Sequence, residues 1–359
     1  MTLRTTAPIV LLATALIACG AGGSGSGDDA KPASSTAAVD LTGAGATFPY
    51  PIYSKWFADY ARETSVKINY QSIGSGGGIK QLKEQTVDFG ASDAPMSDED
   101  LKSAPGEIVH VPTVLGAVVI TYNLEGLKQP LRFSSEALAD IFLGKIKKWN
   151  DSKIAADNPG VTLPTSDVTV IHRSDSSGTS AVFTDYLSKL SAEWKEKVGA
   201  GTSPSWPIGM GGKGNEGVTG QVKSTPNTIG YVELAYAVQN KLPVGQVKNA
   251  SGVFITPSID TVTAAAAASA ANMPDDLRVS ITNAAGPDAY PISSYTYVLL
   301  YKNQKDAAKG KALVNFLWWG IHDGESFAKD LQYAPLPADI VKRAEAKINS
   351  VTANGSALR

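Results

Sequence analysis

The residues that most often do covalent or metal chemistry are scarce in this sequence: among 359 residues there are one cysteine and three histidines. A single thiol excludes an internal disulfide and any multi-thiolate metal site. His110, His172 and His322 lack metal-ligand spacing, and each reads as structural. No metal or cofactor is expected. An excess of one charge is also missing, because 32 basic residues face 34 acidic ones for a net charge of −2. The chain therefore has no electrostatic footprint for nucleic acid. No stretch reaches 18 uninterrupted apolar residues, so no membrane-spanning helix is expected. There is no internal repeat of fixed period and no G-x-S-x-G nucleophile elbow.

What is present is a globular composition, 43% hydrophobic and 18% charged, and enough chain for two domains at roughly 150 residues each. The one cysteine has a context. Arg4 precedes an apolar stretch, Ala7 to Ala18, too short for the roughly 20 helical residues a bilayer needs but suited to a secretory signal. It ends in Leu16-Ile17-Ala18-Cys19, which resembles the lipobox of bacterial lipoproteins, whose cysteine is lipidated and becomes the first mature residue. Residues 1–18 thus read as a lipoprotein signal peptide. Residues 19–40, rich in Gly, Ser and Ala, read as a flexible tether with a reach on the order of 25 Å. Cleavage removes Arg4 alone among the charged residues, leaving 31 basic against 34 acidic and a charge of −3. The expected location is the extracytoplasmic face of a cell membrane, held by lipid only.

From Leu41 onward, short β-branched runs alternate with amphipathic stretches. Strands are expected at 66–71, 108–113, 117–122, 168–172, 228–232 and 295–301. Helices are expected at 51–63, 77–84, 135–143, 180–190, 217–222, 258–271, 305–322 and 338–349. Such alternation predicts an α/β fold with helix-covered sheets.

Three glycine- and serine-rich segments each open an expected helix; the first itself ends an expected strand, and the others follow the strands at 66–71 and 168–172. They are Thr42-Gly-Ala-Gly-Ala-Thr47-Phe48-Pro49, Ile73-Gly-Ser75-Gly-Gly-Gly78, and Arg173-Ser-Asp175-Ser-Ser177-Gly178-Thr179-Ser180. A helix N-terminus offers free N–H groups and partial positive charge, and small residues let an anion approach. Any one of them could be an ordinary N-cap; three, one beside an arginine, point to an oxyanion site. Asp93 introduces a selective element. An ionised carboxylate accepts hydrogen bonds only, so a protonated oxyanion such as hydrogen phosphate satisfies it and sulfate does not.

Other motifs are set aside. Gly212-Lys-Gly-Asn-Glu-Gly217 matches G-x-G-x-x-G, but Trp206-Pro-Ile-Gly209 before it is a poor strand, so it reads as a loop and not a dinucleotide site. The basic cluster Lys145–Trp149 reads as a solvated face. Ser177 with His172 is only a formal nucleophile–base pair.

The ordered motifs Leu41-Thr-Gly-Ala-Gly-Ala-Thr-Phe-Pro49, Asp88-Phe-Gly-Ala-Ser-Asp-Ala-Pro95 and Ser177-Gly-Thr-Ser180 resemble the phosphate-binding proteins of bacterial phosphate-specific ABC transporters. So do Phe142–Trp149, Trp206–Asn215 and Gly230-Tyr-Val-Glu233. The resemblance runs from about Leu41 to near Pro337. It implies a hinged, two-lobed periplasmic-binding-protein fold (type II), with lobe one at 41–115 plus 290–359 and lobe two at 116–289. It also implies a non-catalytic, monomeric receptor that needs no cofactor and delivers inorganic phosphate to permease subunits. Position by position, Thr47, Phe48 (through its N–H) and Ser75 would donate from one lobe, and Arg173, Ser177, Gly178 and Thr179 from the other. Asp93 would accept the phosphate proton and Asp175 would orient Arg173. The competing readings are a surface phosphoesterase with Ser177 or Thr47 as nucleophile, and a receptor for another tetrahedral oxyanion.

Overall fold

The structure is a computed structural model that describes residues 39–359. The signal segment, Cys19 and all but the end of the tether lie outside the described residues.

Eight strands build the main sheet: β1 (Asp40–Gly45), β2 (Lys67–Ser72), β3 (Phe89–Ser92), β4 (Ile108–Asn123), β5 (Thr169–Arg173), β6 (Met210–Gly212), β7 (Thr228–Glu233) and β8 (Ser293–Tyr301). Their order is β2-β1-β3-β8-β4-β7-β5-β6. At one end β1 pairs in parallel with β2 and β3, and at the other β5 pairs in parallel with β6 and β7. The long strands β4 and β8 run antiparallel between these ends. β4 is shared: Ile108–Ala117 pairs with β8, and Val118–Asn123 pairs with β7. The mixed α/β class expected from the alternation is the one observed.

β4 is one strand where the sequence pattern suggests two. Pro112 has no N–H to give a ladder, and proline inside a sheet is accommodated at bulges. The register shifts there, with Tyr297 opposite Pro112 and Thr296 opposite Val114, so Thr113 is the extra residue. Its hydroxyl is used: it donates to Thr296 O at 3.3 Å and lies 2.7 Å from the Tyr53 hydroxyl.

Helix α1 (Tyr50–Thr64) shows why the site lies where it does. Pro51 is tolerated in the first turn, where an N–H has no intrahelical partner. Ile52, Tyr53, Trp56, Phe57 and Tyr60 recur at helical spacing, and all are buried. That face anchors the helix against the core and leaves its N-terminus at the C-terminal end of β1. Trp56 is pinned further by its indole N–H, which donates to Gly324 O at 2.7 Å. Helices α2 (Ser75–Lys83), α3 (Gly178–Leu190) and α4 (Gly214–Ser224) follow β2, β5 and β6 in the same way. Four helix N-termini are thus delivered to the ends of parallel strands from both ends of the sheet.

Candidate functional site

The four helix starts meet in one buried place. Thr47, Phe48, Ser75, Asp93, Arg173, Ser177 and Thr179 are each at most 3% exposed. The convergence, which spacing could not show, is visible at two glycines. A Cβ on Gly178 would overlap the Ser75 hydroxyl and sit 2.6 Å from Asp93 Oδ2. Gly74, at φ +88° in the left-handed region that favours glycine, caps α2 against Asp175 and Ser176. The Gly76 N–H donates to Ser176 O at 3.0 Å across the same gap. Among the described residues, no protein acceptor takes the N–H of Phe48, Ser75, Gly178 or Thr179. Free donors of this kind at converging helix starts favour an anion.

Arg173 is held by groups of the protein itself. Its Nε donates to Asp175 Oδ1 at 2.8 Å, Nη2 to Asp175 Oδ2 at 2.5 Å, and Nη1 to the Thr179 hydroxyl at 3.2 Å. The guanidinium has five N–H groups, so two remain for a ligand. Asp175 also accepts the Gly214 N–H at 3.0 Å. Partial burial works against its charge, but the Arg173 fork prevails and holds its carboxyl below the usual carboxylate range.

Asp93 is the acceptor in this ring of donors. Oδ1 takes the Thr296 hydroxyl at 2.8 Å, while Oδ2 is buried and has no partner among the described residues. Burial pushes its pKa up to about 7, against the Thr296 hydrogen bond and the Arg173 charge. Asp93, read as an ionised acceptor from the sequence, thus sits where burial works against its charge.

Ser177 is the N-cap of α3. Its oxygen accepts the Ser180 N–H at 3.0 Å as the cap of α3, leaving the hydroxyl hydrogen free. His172 does not serve it as a base. That ring stacks on Trp206 at 4.9 Å between centroids, with Nδ1 3.0 Å from Arg173 O.

The G-x-G-x-x-G segment corrects the loop reading. Met210–Gly212 is a strand paired in parallel with β5, and α4 opens two residues later. This fourth helix start brings in Asn215, which is fully buried and contacts both Thr47 and Thr179. Asn215 is not among the site residues expected from the sequence. The available signal was a glycine pattern like the three already recognised.

A curled α/β sheet whose two ends contribute helix starts to one buried polar cleft defines a solute-binding protein. Consistently, a family model described as a PBP superfamily domain matches residues 30–318. The phosphate-binding protein PstS of Xylella fastidiosa is 48% identical over 315 residues, covering 88% of this chain and 86% of the relative. That of Haemophilus influenzae is 47% identical over 305 residues, covering 85% and 91%. A solved high-affinity periplasmic phosphate-binding protein with bound phosphate shares the fold, with TM-score 0.69, 22% identity, and coverage of 86% and 93%. The chain belongs to the PstS family of phosphate-binding proteins.

Proposed function

We propose that the chain is an extracytoplasmic receptor that binds inorganic phosphate in this cleft and delivers it to an ABC-transporter permease for import. One observation carries the choice of ligand: the unpartnered Asp93 Oδ2 faces a cleft otherwise lined by donors. A tetrahedral anion that keeps one hydrogen satisfies both features at once. Thr47, Phe48 N–H and Ser75 donate from one side, and Arg173, Ser177, Gly178 and Thr179 from the other. Asp93 takes the hydrogen, and Asp175 holds the Arg173 plane. The names of the relatives support a binding protein over the phosphoesterase reading, as does the use of the Ser177 oxygen as a helix cap.

In this reading the lobes are 41–115 plus 290–359 and 116–289, and the hinge includes β4 near the point where its pairing changes from β8 to β7. Phosphate favours closure because its contacts come from both lobes and exist together only when these meet. Release follows when the permease draws the lobes apart. The receptor acts as a monomer, without cofactor, anchored through lipid on Cys19. Among the described residues no helix is long and apolar enough to cross a membrane.

The test is calorimetric titration of the mature protein, stripped of phosphate, with phosphate, sulfate and arsenate. Phosphate and arsenate bind and sulfate does not at pH 8. Failure to bind phosphate removes the reading, and steady turnover of a phosphate ester replaces it with the enzyme. Anchoring is checked by Cys19→Ser, which releases the protein from the membrane fraction.

A further inference from the structure

We infer that Asn215 is a positioning residue that fixes the Thr47 and Thr179 hydroxyls as obligate donors to the bound anion. The inference rests on the phosphate-binding reading and concerns a residue that touches the ligand only through others.

The geometry leaves little freedom. The Glu233 backbone N–H donates to Asn215 Oδ1 at 2.9 Å. A backbone N–H is donor only, so this bond pins the amide and aims Nδ2 at the two threonines. Nδ2 donates to Thr47 Oγ1 at 2.8 Å and to Thr179 Oγ1 at 3.1 Å. Each hydroxyl receives a second donor. Thr47 Oγ1 also accepts the Asn215 backbone N–H at 3.1 Å, and Thr179 Oγ1 accepts Arg173 Nη1 at 3.2 Å.

A hydroxyl has two acceptor lone pairs and one hydrogen. With both lone pairs occupied, each threonine can only donate, so a ligand oxygen facing it must accept and cannot direct a hydrogen of its own at the threonine. One buried amide thus sets the polarity of two contacts, one from each proposed lobe. The hydrogen of a protonated anion is thereby excluded from the threonine positions and directed to Asp93. Because the Asn215–Thr47 bonds join the two proposed lobes, this orientation is complete only on closure.

The experiment is a double-mutant cycle read by phosphate titration, with thermal melts of the phosphate-free proteins as the folding control. Asn215→Ala is measured in the wild-type, Thr47→Val and Thr179→Val backgrounds. In wild type it weakens phosphate binding by about 10- to 100-fold, the scale of a hydrogen bond to a charged group. In each valine background its penalty shrinks at least about threefold, because the hydroxyl it acts through is gone. A support role confined to Glu233 would give the same penalty in all backgrounds, and that outcome overturns the inference while leaving the phosphate reading intact. Absence of phosphate binding by wild type overturns both. Should Asn215→Ala fail to fold, Asn215→Asp enters the same cycle. It is isosteric and keeps the acceptor for Glu233 N–H, but offers the hydroxyls an acceptor where they need a donor.

Discussion

Gly178 and Asp93 meet across the cleft with no room for a side chain between them: a Cβ on the glycine would lie 2.6 Å from Asp93 Oδ2. The first turn of one helix is therefore seated directly on the Asp93 carboxylate. Glycine is needed here for closeness, whereas at Gly74 it is also needed for conformation.

Gly178→Ala is expected to prevent full closure and to weaken phosphate binding by about 10- to 100-fold, the range that overpacking a tight contact costs. The melting temperature of the phosphate-free protein should change little, because an open cleft accommodates the methyl group. Titration combined with small-angle scattering, with and without phosphate, checks both parts. Unchanged affinity would show that the two residues are not in contact in the bound state.

Asp93 should make anion selectivity depend on pH. Above about pH 7 the carboxylate is ionised and only accepts, so sulfate leaves it charged and unpaired. Below that pH its O–H can donate to sulfate, and sulfate affinity should rise as the pH falls through about 7. Asp93→Asn, which keeps an N–H donor at every pH, should bind sulfate without this dependence and lose its preference for phosphate. Titrations with both anions at pH 5.5 and pH 8.5 are decisive; no change in selectivity rejects the proton-reading role.

Arg173→Lys should weaken phosphate by about 10- to 100-fold, although the charge is retained. An ammonium cannot grip both Asp175 oxygens, reach Thr179 and still present two donors to a ligand. Asp175→Asn should have a smaller effect of the same kind, because the fork is loosened while the arginine stays. Equal affinity for Arg173→Lys and wild type would reduce the role of Arg173 to its charge alone.

Added salt should reduce phosphate affinity only a few-fold between about 0.05 and 0.5 M. The chain carries a net charge of −2, and the one arginine of the site is buried and already paired. Screening acts mainly on exposed, distant charges. A steep decline would instead mark capture by the surface field.

Three of the four helix starts were legible because each joins a run of small residues to an amphipathic helix, and two of them follow β-branched strands at 66–71 and 168–172. The fourth was not. Met210-Gly211-Gly212 has no β-branched residue, and its strand exists because it pairs with Ile171, His172 and Arg173 of β5. Strand propensity is weak beside such pairing. β4 likewise looked like two strands, 108–113 and 117–122, and the bulge that absorbs Pro112 involves β8, which lies almost 200 residues away in the chain.

The sequence by itself determined the local elements: where helices begin, which turns are stripped to glycine and serine, which faces are apolar, and the motif order that marks the family. These follow from periodicity and turn chemistry over a few residues. Tertiary structure alone decided that Ser75, Asp93 and Gly178 touch, that burial raises the Asp93 pKa, and that Asn215 lies against Thr47 and Thr179. Contact between distant segments, the loss of water around a carboxylate and the direction of a hydroxyl hydrogen depend on what the fold brings alongside, and no local pattern encodes that.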